Sequence, residues 1–278
     1  MTIPWHDVEK IDPLALSEAR LQLHYAIQFL AAPAAALAVP LADLGHTSLS
    51  WETIQGSPVF VSQPMPAEMP LRVALHPLTL TVLLLSNTGD PFASYPLAGQ
   101  TMTAGLEWLK THLAERGAEA EKVAWLSYPA DFPPHALGEG SPFADPEGLP
   151  LAALVAYYAK TAPLLQTIAL PRRGASPLRI WPHHFDMAVL IQPQPQQFIG
   201  VGLSPGDHYY AQPYWYVSAY PYPQPEPFPP LPEPAFWHTQ DWLGAVLTGS
   251  ALKGRDPQIE LPTFLETAIS MSEGWFQP

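Results

Sequence analysis

The sequence predicts an α+β fold, with an antiparallel sheet flanked by helices in each of two halves. Proline-free windows alternate with proline-rich connections, and regular structure is confined to those windows because proline blocks helix interiors and central strands. Within the windows, apolar residues follow either helical spacing or the alternation typical of strands. A chain of 278 residues is long enough for one large domain or two small ones.

In the first half, the pattern predicts a helix, a series of strands and a second helix. Apolar spacing predicts an amphipathic helix over 14–30, capped by Ser17 and extended past a kink at Pro33. A second helix is predicted over 102–113. Alternating runs predict strands over 47–54, 58–63, 71–75, 78–86 and 123–128.

The second half repeats this order. Helices are predicted over 149–165, 239–252 and 261–272, and strands over 178–191, 197–203 and 213–220. The proline-rich segment 221–234 is expected to run extended over the surface. The shared outline predicts two pseudo-duplicated halves, 1–128 and 148–278, joined by a linker at 129–147. Two unrelated α+β layers are the alternative.

Composition excludes several classes of function. The absence of cysteine removes disulfides, thiolate nucleophiles and Cys-ligated metals. A net charge of -13 disfavours nucleic acid and anionic lipid as partners. The sequence shows no signal peptide and no apolar stretch of membrane-spanning length, so we expect an acidic cytoplasmic protein.

Chemistry-bearing residues are concentrated between Arg179 and His238, where four of the ten histidines lie. If 178–191 is one strand, His184 and Asp186 point to the same face. Such a pair could ligate a divalent metal, act as an acid–base pair, or form a structural hydrogen-bond network. A metal would need further ligands, for which Asp207, His208 and His238 are the candidates, and nothing in the sequence requires one.

The run from Ser204 to Asp207 predicts a turn. Proline followed by glycine is the pattern of a type II turn, and the flanking serine and aspartate can bond nearby amides. The alternative places Asp207 and His208 at the mouth of a pocket, on an exposed hairpin.

A run of aromatic residues follows this turn. On a strand over 213–220, Tyr214, Tyr216 and Tyr220 share one face, whereas Trp215 lies on the other, which we expect to be the core. Tyrosines with an apolar ring and a polar hydroxyl are common in binding clefts and interfaces, although β-propensity alone explains such a run. The run lacks the interleaved lysines and arginines of a groove that stacks nucleic-acid bases.

Residues 176–275 resemble a bacterial family of uncharacterised proteins. The resemblance lies in Ser176-Pro-x-x-Ile-Trp-x-x-x-Phe-Asp-x-Ala188, in Tyr214-x-Tyr216 with Tyr220-Pro-x-Pro223, and in Phe264-Leu265 with Trp275. The chain departs from the family at His183 and His184, where the relatives have small residues. The resemblance implies an architecture and a bacterial origin, and it implies no reaction.

The sequence therefore leaves three functions open. The first is binding of a small molecule or peptide in an aromatic cleft of the second half, by His184, Asp186, Asp207 and the tyrosine face. The second is a metal-assisted or acid–base hydrolase that uses His184 and Asp186 with Asp207 or His238. The third is an interaction or scaffold protein. The aromatics outnumber the catalytic groups, which favours binding; the oligomeric state is not encoded in these patterns.

Overall fold

The chain folds into α-helices and antiparallel β-strands, which confirms the predicted α+β class. A computed structural model describes residue 5 and residues 11–127, 130–224 and 227–276. In chain order, the helices are α1 (Ser17–Ala26), α2 (Gln28–Leu37), α3 (Met102–Glu115), α4 (Leu151–Ile168) and α5 (Pro257–Gly274). The strands are β1 (Leu49–Ile54), β2 (Ser57–Ser62), β3 (Leu71–His76), β4 (Thr81–Ser86), β5 (Pro91–Pro96), β6 (Arg179–Trp181), β7 (Asp186–Gln194), β8 (Gln197–Ser204), β9 (Tyr214–Tyr220), β10 (Phe236–His238) and β11 (Gly244–Thr248).

The contacts divide the chain into two units. The first unit contains Leu16–Val155 and the short return segment Arg179–Phe185. The second contains Ala156–Leu178, the residues from Asp186 onward, and the described residues up to Ala15. The described part of the predicted linker, 130–147, belongs to the first unit. No helix in the described ranges combines the length and the apolar character needed to cross a membrane.

In the first unit, the strand order is β6-β1-β2-β3-β4-β5. Gln55 and Gly56 both have positive φ and join β1 to β2 in a two-residue hairpin, as a type I′ turn requires. Val59, Val61, Ala74 and Leu85 form a buried apolar cluster between the strands. Edge strand β5 begins and ends with proline, which limits pairing with another chain.

The first predicted helix is two helices. α1 ends at Ala26 and α2 begins at Gln28, and α2 contains Pro33 without ending there. Ser17 is not the cap, because residues 13–16 form a 3₁₀ turn that leads directly into α1 and makes Leu16 the N-cap. The predicted helix over 102–113 is confirmed as α3, which Thr101 caps by accepting from the Ala104 amide at 3.1 Å.

His24 of α1 holds the turn that follows β6 in place. Its Nε2 lies 2.9 Å from the Pro182 carbonyl oxygen, which can only accept, so Nε2 carries the proton. The ring stacks on Phe185 at 5.5 Å between centroids, and Gln28 donates to the same Pro182 carbonyl at 3.0 Å. Burial lowers the pKa of His24 to about 3, because the imidazolium would lose its hydration there.

In the second unit, the strand order is β10-β11-β9-β8-β7. One face of this sheet is the core and packs against α5. Trp215 on β9 is fully buried on that face, and its indole N–H donates to Thr161 Oγ1 of α4 at 2.8 Å. This hydrogen bond satisfies two polar groups that would otherwise be buried without partners, so it fixes β9 relative to α4.

The predicted helix over 239–252 is wrong. The segment forms strand β11, followed by a 3₁₀ turn at residues 249–252. β11 pairs with β9 on one side and β10 on the other, and Ala245, Val246 and Leu247 are all buried although successive side chains point to opposite faces of the sheet. A run buried on both faces has no alternation, so its sequence cannot be told from that of an apolar helix.

Other strand predictions also need correction. The predicted strand 178–191 is two strands, β6 and β7, separated by a turn at 182–185 in which Phe185 has φ +58°. Residues 123–127 are not a strand, and Tyr128 lies outside the described residues. Strand β5 is absent from the predicted strands, because Pro91, its first residue, belongs to a turn signal over 87–91. The described residues of 221–234 form neither helix nor strand, as predicted.

We expect the free energy of unfolding to fall as the pH falls, because His24 takes up its proton more readily in the unfolded chain than in the folded one. The unfolded chain protonates this histidine near pH 6.5, whereas the folded chain does so only near pH 3. The contribution is therefore complete above pH 6.5 and is lost as the pH falls, by about 1.4 kcal/mol per pH unit. Urea unfolding at pH 7.5, 6.0 and 5.0 measures this slope.

The matched variants are His24→Gln, which removes the titrating group, and His208→Gln, which removes an exposed histidine. The slope between pH 6 and pH 5 should decrease in His24→Gln and stay unchanged in His208→Gln. Equal slopes in the wild type and His24→Gln would contradict the assignment.

Candidate functional site

The second-unit sheet has an open face opposite its core. Trp215, Val217 and Ala219 on β9 are at most 2% exposed, which confirms the predicted core face. The opposite face carries Tyr214, Tyr216, Ser218 and Tyr220. Exposure increases along this face, from 5% at Tyr214 to 58% at Tyr220. We call this side of the sheet the open face.

Glycine and serine form a shallow row across the open face. Leu190 on β7 pairs with Gly200 on β8, and Gly200 pairs with Ser218 on β9. Directly paired residues point to the same side of a sheet, so this row has a projecting side chain only at Leu190, which is 44% exposed. Phe198 pairs with Tyr220 in the neighbouring row. We call the row Leu190–Gly200–Ser218 the furrow.

Aromatic rings lie over the neighbouring glycines. A Cβ at Gly202 would come within 2.6 Å of the Met187 carbonyl oxygen and 2.8 Å of the Tyr216 hydroxyl. A Cβ at Gly244 would come within 2.4 Å of the Trp242 ring. Only glycine fits beneath these two rings. The rings of Tyr216 and Trp242 are 6.4 Å apart, edge to face, on one side of the furrow.

In the segment after β8, polar side chains bond to amides of the same segment. Gly206 has φ +113°, and Ser204 Oγ accepts from the Gly206 amide at 3.2 Å. Asp207 Oδ1 accepts from the amides of Tyr209 and Tyr210, at 2.8 and 3.0 Å. The predicted bonds of the serine and the aspartate to nearby amides are confirmed. The predicted type II turn is not, because the Asp207 amide donates to the Tyr210 carbonyl oxygen at 2.8 Å and residues 205–207 form no turn. Residues 204–206 are buried and Asp207 is half-buried, whereas His208 is exposed, so the alternative position of Asp207 and His208 at the mouth of a pocket stays a prediction.

A hydrogen-bond network joins this loop to the sheet. Asp207 Oδ2 accepts from the Tyr214 hydroxyl at 2.5 Å. The Tyr210 hydroxyl lies 2.7 Å from His238 Nδ1, and His238 Nε2 lies 2.6 Å from the Gln240 carbonyl oxygen. Because that carbonyl can only accept, the neutral His238 ring carries its proton on Nε2 and accepts the Tyr210 proton at Nδ1.

Ring stacking completes the cluster. His238 stacks on Trp242 at 4.3 Å between centroids, and Tyr209 meets the edge of His238 at 4.9 Å. The Tyr209 hydroxyl donates to Asp241 Oδ2 at 3.1 Å. Tyr210 contacts the exposed ring of Phe236 at 5.9 Å. The loop, edge strand β10 and the segment between β10 and β11 therefore share one aromatic layer.

Tyr214 and Tyr216 both act as donors to carboxylates. The Tyr216 hydroxyl donates to Asp186 Oδ2 at 2.6 Å. Burial raises the pKa of Tyr216 well above its usual value, and the charge of Asp186 adds to this. Burial likewise raises the pKa of Tyr214, with a further contribution from the charge of Asp207. Both phenols stay protonated, so they orient the carboxylates and supply no phenolate base.

The structure does not place His184 beside Asp186 on a strand face. The premise of one continuous strand is wrong, because the turn at 182–185 separates β6 from β7. His184 is exposed in that turn, and its Nε2 lies 3.1 Å from Asp131 Oδ2. His183 is half-buried.

The predicted metal ligands are not brought together. Within the ranges that the structure describes, no group of three or more His, Asp or Glu side chains is placed to hold a metal ion. Asp207 is occupied by two amides and Tyr214, and His238 by Tyr210 and Gln240. Of the three interpretations of these residues, the arrangement supports the structural hydrogen-bond network.

The site residues predicted from the sequence do not include Tyr209, Tyr210, Phe236 or Trp242. Trp242 lies within 239–252, which the sequence wrongly predicts to be a helix, so its position beside the open face could not be predicted. The signal available was its position two residues before Gly244, since a strand glycine marks close approach of another group.

A separate polar groove lies in the first unit. It has a volume of about 310 Å³ and is lined by residues that include Glu52, Arg72 and Asp90. Arg72 donates to Glu52 at 2.7 Å, and Glu52 also accepts from the Ser50 hydroxyl at 2.6 Å. Its main charged groups are thus bonded to each other, which makes it the weaker candidate for binding.

Gly202→Ala is expected to lower the free energy of unfolding by about 1–3 kcal/mol, since the new methyl group would overlap backbone as well as Tyr216. Gly200→Ala is the matched control, because its Cβ would find its nearest neighbour at 3.7 Å, an ordinary contact. Urea unfolding at pH 7 measures both. Equal stabilities of the two variants would contradict the steric role of Gly202.

Comparison with protein-family models, with curated proteins and with solved structures finds no match to this chain. The resemblance of residues 176–275 to an uncharacterised bacterial family stays a prediction. Any function assigned to the open face therefore rests on its geometry.

Proposed function

We propose that the second unit is a binding module whose open face holds a small molecule or a peptide. The observation that carries the proposal is the exposure of large apolar side chains around the furrow. Tyr220 is 58% exposed, Leu190 44% and Phe236 38%, and all three lie on the open face. Neighbouring Tyr222 is 45% exposed and contacts Tyr220 edge to face at 5.7 Å.

Rigidity of the surroundings supports binding. Tyr214 and Tyr216 donate to Asp207 and Asp186, and Tyr210 donates to His238, so the rings beneath the exposed residues have fixed orientations. A surface that is already ordered loses little conformational entropy when a ligand binds. This advantage applies to recognition of any ligand that covers the furrow.

The same network limits how a ligand is recognised. Because the buried hydroxyl groups are used within the protein, ring surfaces and the outer carboxylates make the contacts with the ligand. Of the predicted site residues, Tyr220 and the half-buried Tyr216 keep a contact role. Tyr214, Asp186 and Asp207 support them from below, and His184 stays a prediction without a contact on this face.

Fluorine NMR of protein labelled with 5-fluorotryptophan tests the proposal. The probe is a fragment library of aromatic, aliphatic, amine, guanidine and carboxylic acid compounds. We expect binding fragments to shift the Trp242 resonance, which the variant Trp242→Phe assigns. Tyr220→Ala should weaken their affinity at least fivefold, because the exposed ring is removed.

Ile259→Ala is the control, since Ile259 is an equally exposed apolar residue of the same unit, 64% exposed, on helix α5. Its affinities should equal those of the wild type. Fragments that shift only other tryptophans, or affinities insensitive to Tyr220→Ala, would refute binding at the open face.

A further inference from the structure

We propose that the ligand of the open face is a basic peptide segment, held in an extended conformation with arginine side chains against the exposed rings. This inference rests on the proposed function and names the chemistry of the ligand. It draws on three independent features of the second unit: the distribution of charge, the position of one carboxylate, and the shape of the furrow.

The charge distribution favours a cation. Between Asp186 and Leu252 the sequence has five acidic residues, twelve aromatic residues and neither lysine nor arginine. Arg255 reaches this region from outside, and it is bonded to Glu260 at 3.3 Å and to the Glu233 carbonyl at 3.4 Å. This stretch therefore offers phosphates and carboxylates no lysine or arginine of its own, whereas it offers a cation negative charge and aromatic faces.

The exposed rings suit a guanidinium group. A cation above the face of tyrosine or phenylalanine is attracted by the ring quadrupole. Tyr220, Tyr222 and Phe236 present their rings to solvent. Arginine is favoured over lysine at such a surface, because its planar, weakly hydrated group stacks on rings and bonds a carboxylate through two N–H groups at once.

Asp241 supplies the carboxylate. It is exposed, and its backbone is held in the left-handed region at φ +64°, which aspartate tolerates better than most residues. Tyr209 holds Oδ2, and within the described ranges no other residue donates to this carboxylate. Ser218 Oγ donates to the Leu243 carbonyl at 2.7 Å, which fastens the segment after Asp241 to β9 two residues before Tyr220.

The shape of the furrow favours a peptide over an enclosed small molecule. The row crosses from Leu190 on β7 over the small residues Gly200 and Ser218, with Tyr216 and Trp242 on one side and Phe198 and Tyr220 on the other. From β7 to β9 the furrow extends roughly 10 Å at a spacing of about 4.8 Å between strands. An extended peptide of about three residues covers that distance.

A positional-scanning library of acetylated, amidated heptapeptides tests the inference. Each position is fixed in turn as one amino acid, and retention on immobilised protein is measured at 150 mM salt. We expect arginine to be enriched at one or two positions, with lysine second. Enrichment of acidic or uncharged residues would overturn the inference.

The best peptide is then compared with its citrulline analogue, which keeps the shape of arginine and removes its charge. We expect the analogue to bind at least tenfold more weakly. Asp241→Asn should weaken binding of the arginine peptide about fivefold, Tyr220→Ala at least fivefold, and Ile259→Ala should not change it. An arginine peptide unaffected by Asp241→Asn and Tyr220→Ala would bind by general attraction to an acidic protein, which overturns the inference.

The outcomes separate this inference from the proposed function. If uncharged peptides are selected and Tyr220→Ala abolishes their retention, the open face binds ligands but not basic ones. If no peptide is retained and no fragment shifts the Trp242 resonance, both proposals fail.

Discussion

The open face of the second unit depends on the absence of a side chain at Gly202. A Cβ there would overlap the Met187 carbonyl oxygen, and it would displace the Tyr216 hydroxyl from its position beside Asp186. With glycine, the Tyr216 hydroxyl reaches across β8 to Asp186 on β7. One missing methyl group therefore allows an aromatic ring and a carboxylate to be linked across three strands.

The rest of the aromatic layer on the open face is held by tyrosine hydroxyl groups that each donate to one acceptor. Tyr216 donates to Asp186, Tyr214 to Asp207, and Tyr210 to His238. A half-buried carboxylate is costly unless it is hydrogen-bonded, and a protonated phenol is a neutral donor that leaves its negative charge in place. The network thus keeps the layer ordered without adding a positive charge, and the acidic, aromatic character of the surface is preserved.

The strongest features of the fold were readable from sequence because they are local. Helical spacing located α3 and α5, and alternation located β9 and its core face. The errors were equally physical. The sequence of β11 resembles that of an apolar helix, because the strand is buried on both faces. The β6–β7 turn could not be predicted, because Phe185 takes a positive φ that is uncommon for phenylalanine.

The sequence by itself determined the class of the fold, the acidic charge, and the concentration of tyrosines on one strand face, because these follow from composition and periodicity. It could not determine which acid each tyrosine would bond, nor that Trp242 would cover Gly244 and stack on His238. Those contacts join residues from different strands and loops, and their pairing depends on strand order and register. The same information separates His184, in its exposed turn, from the role that strand alternation predicted, and it forms the furrow on which the proposed ligand would lie.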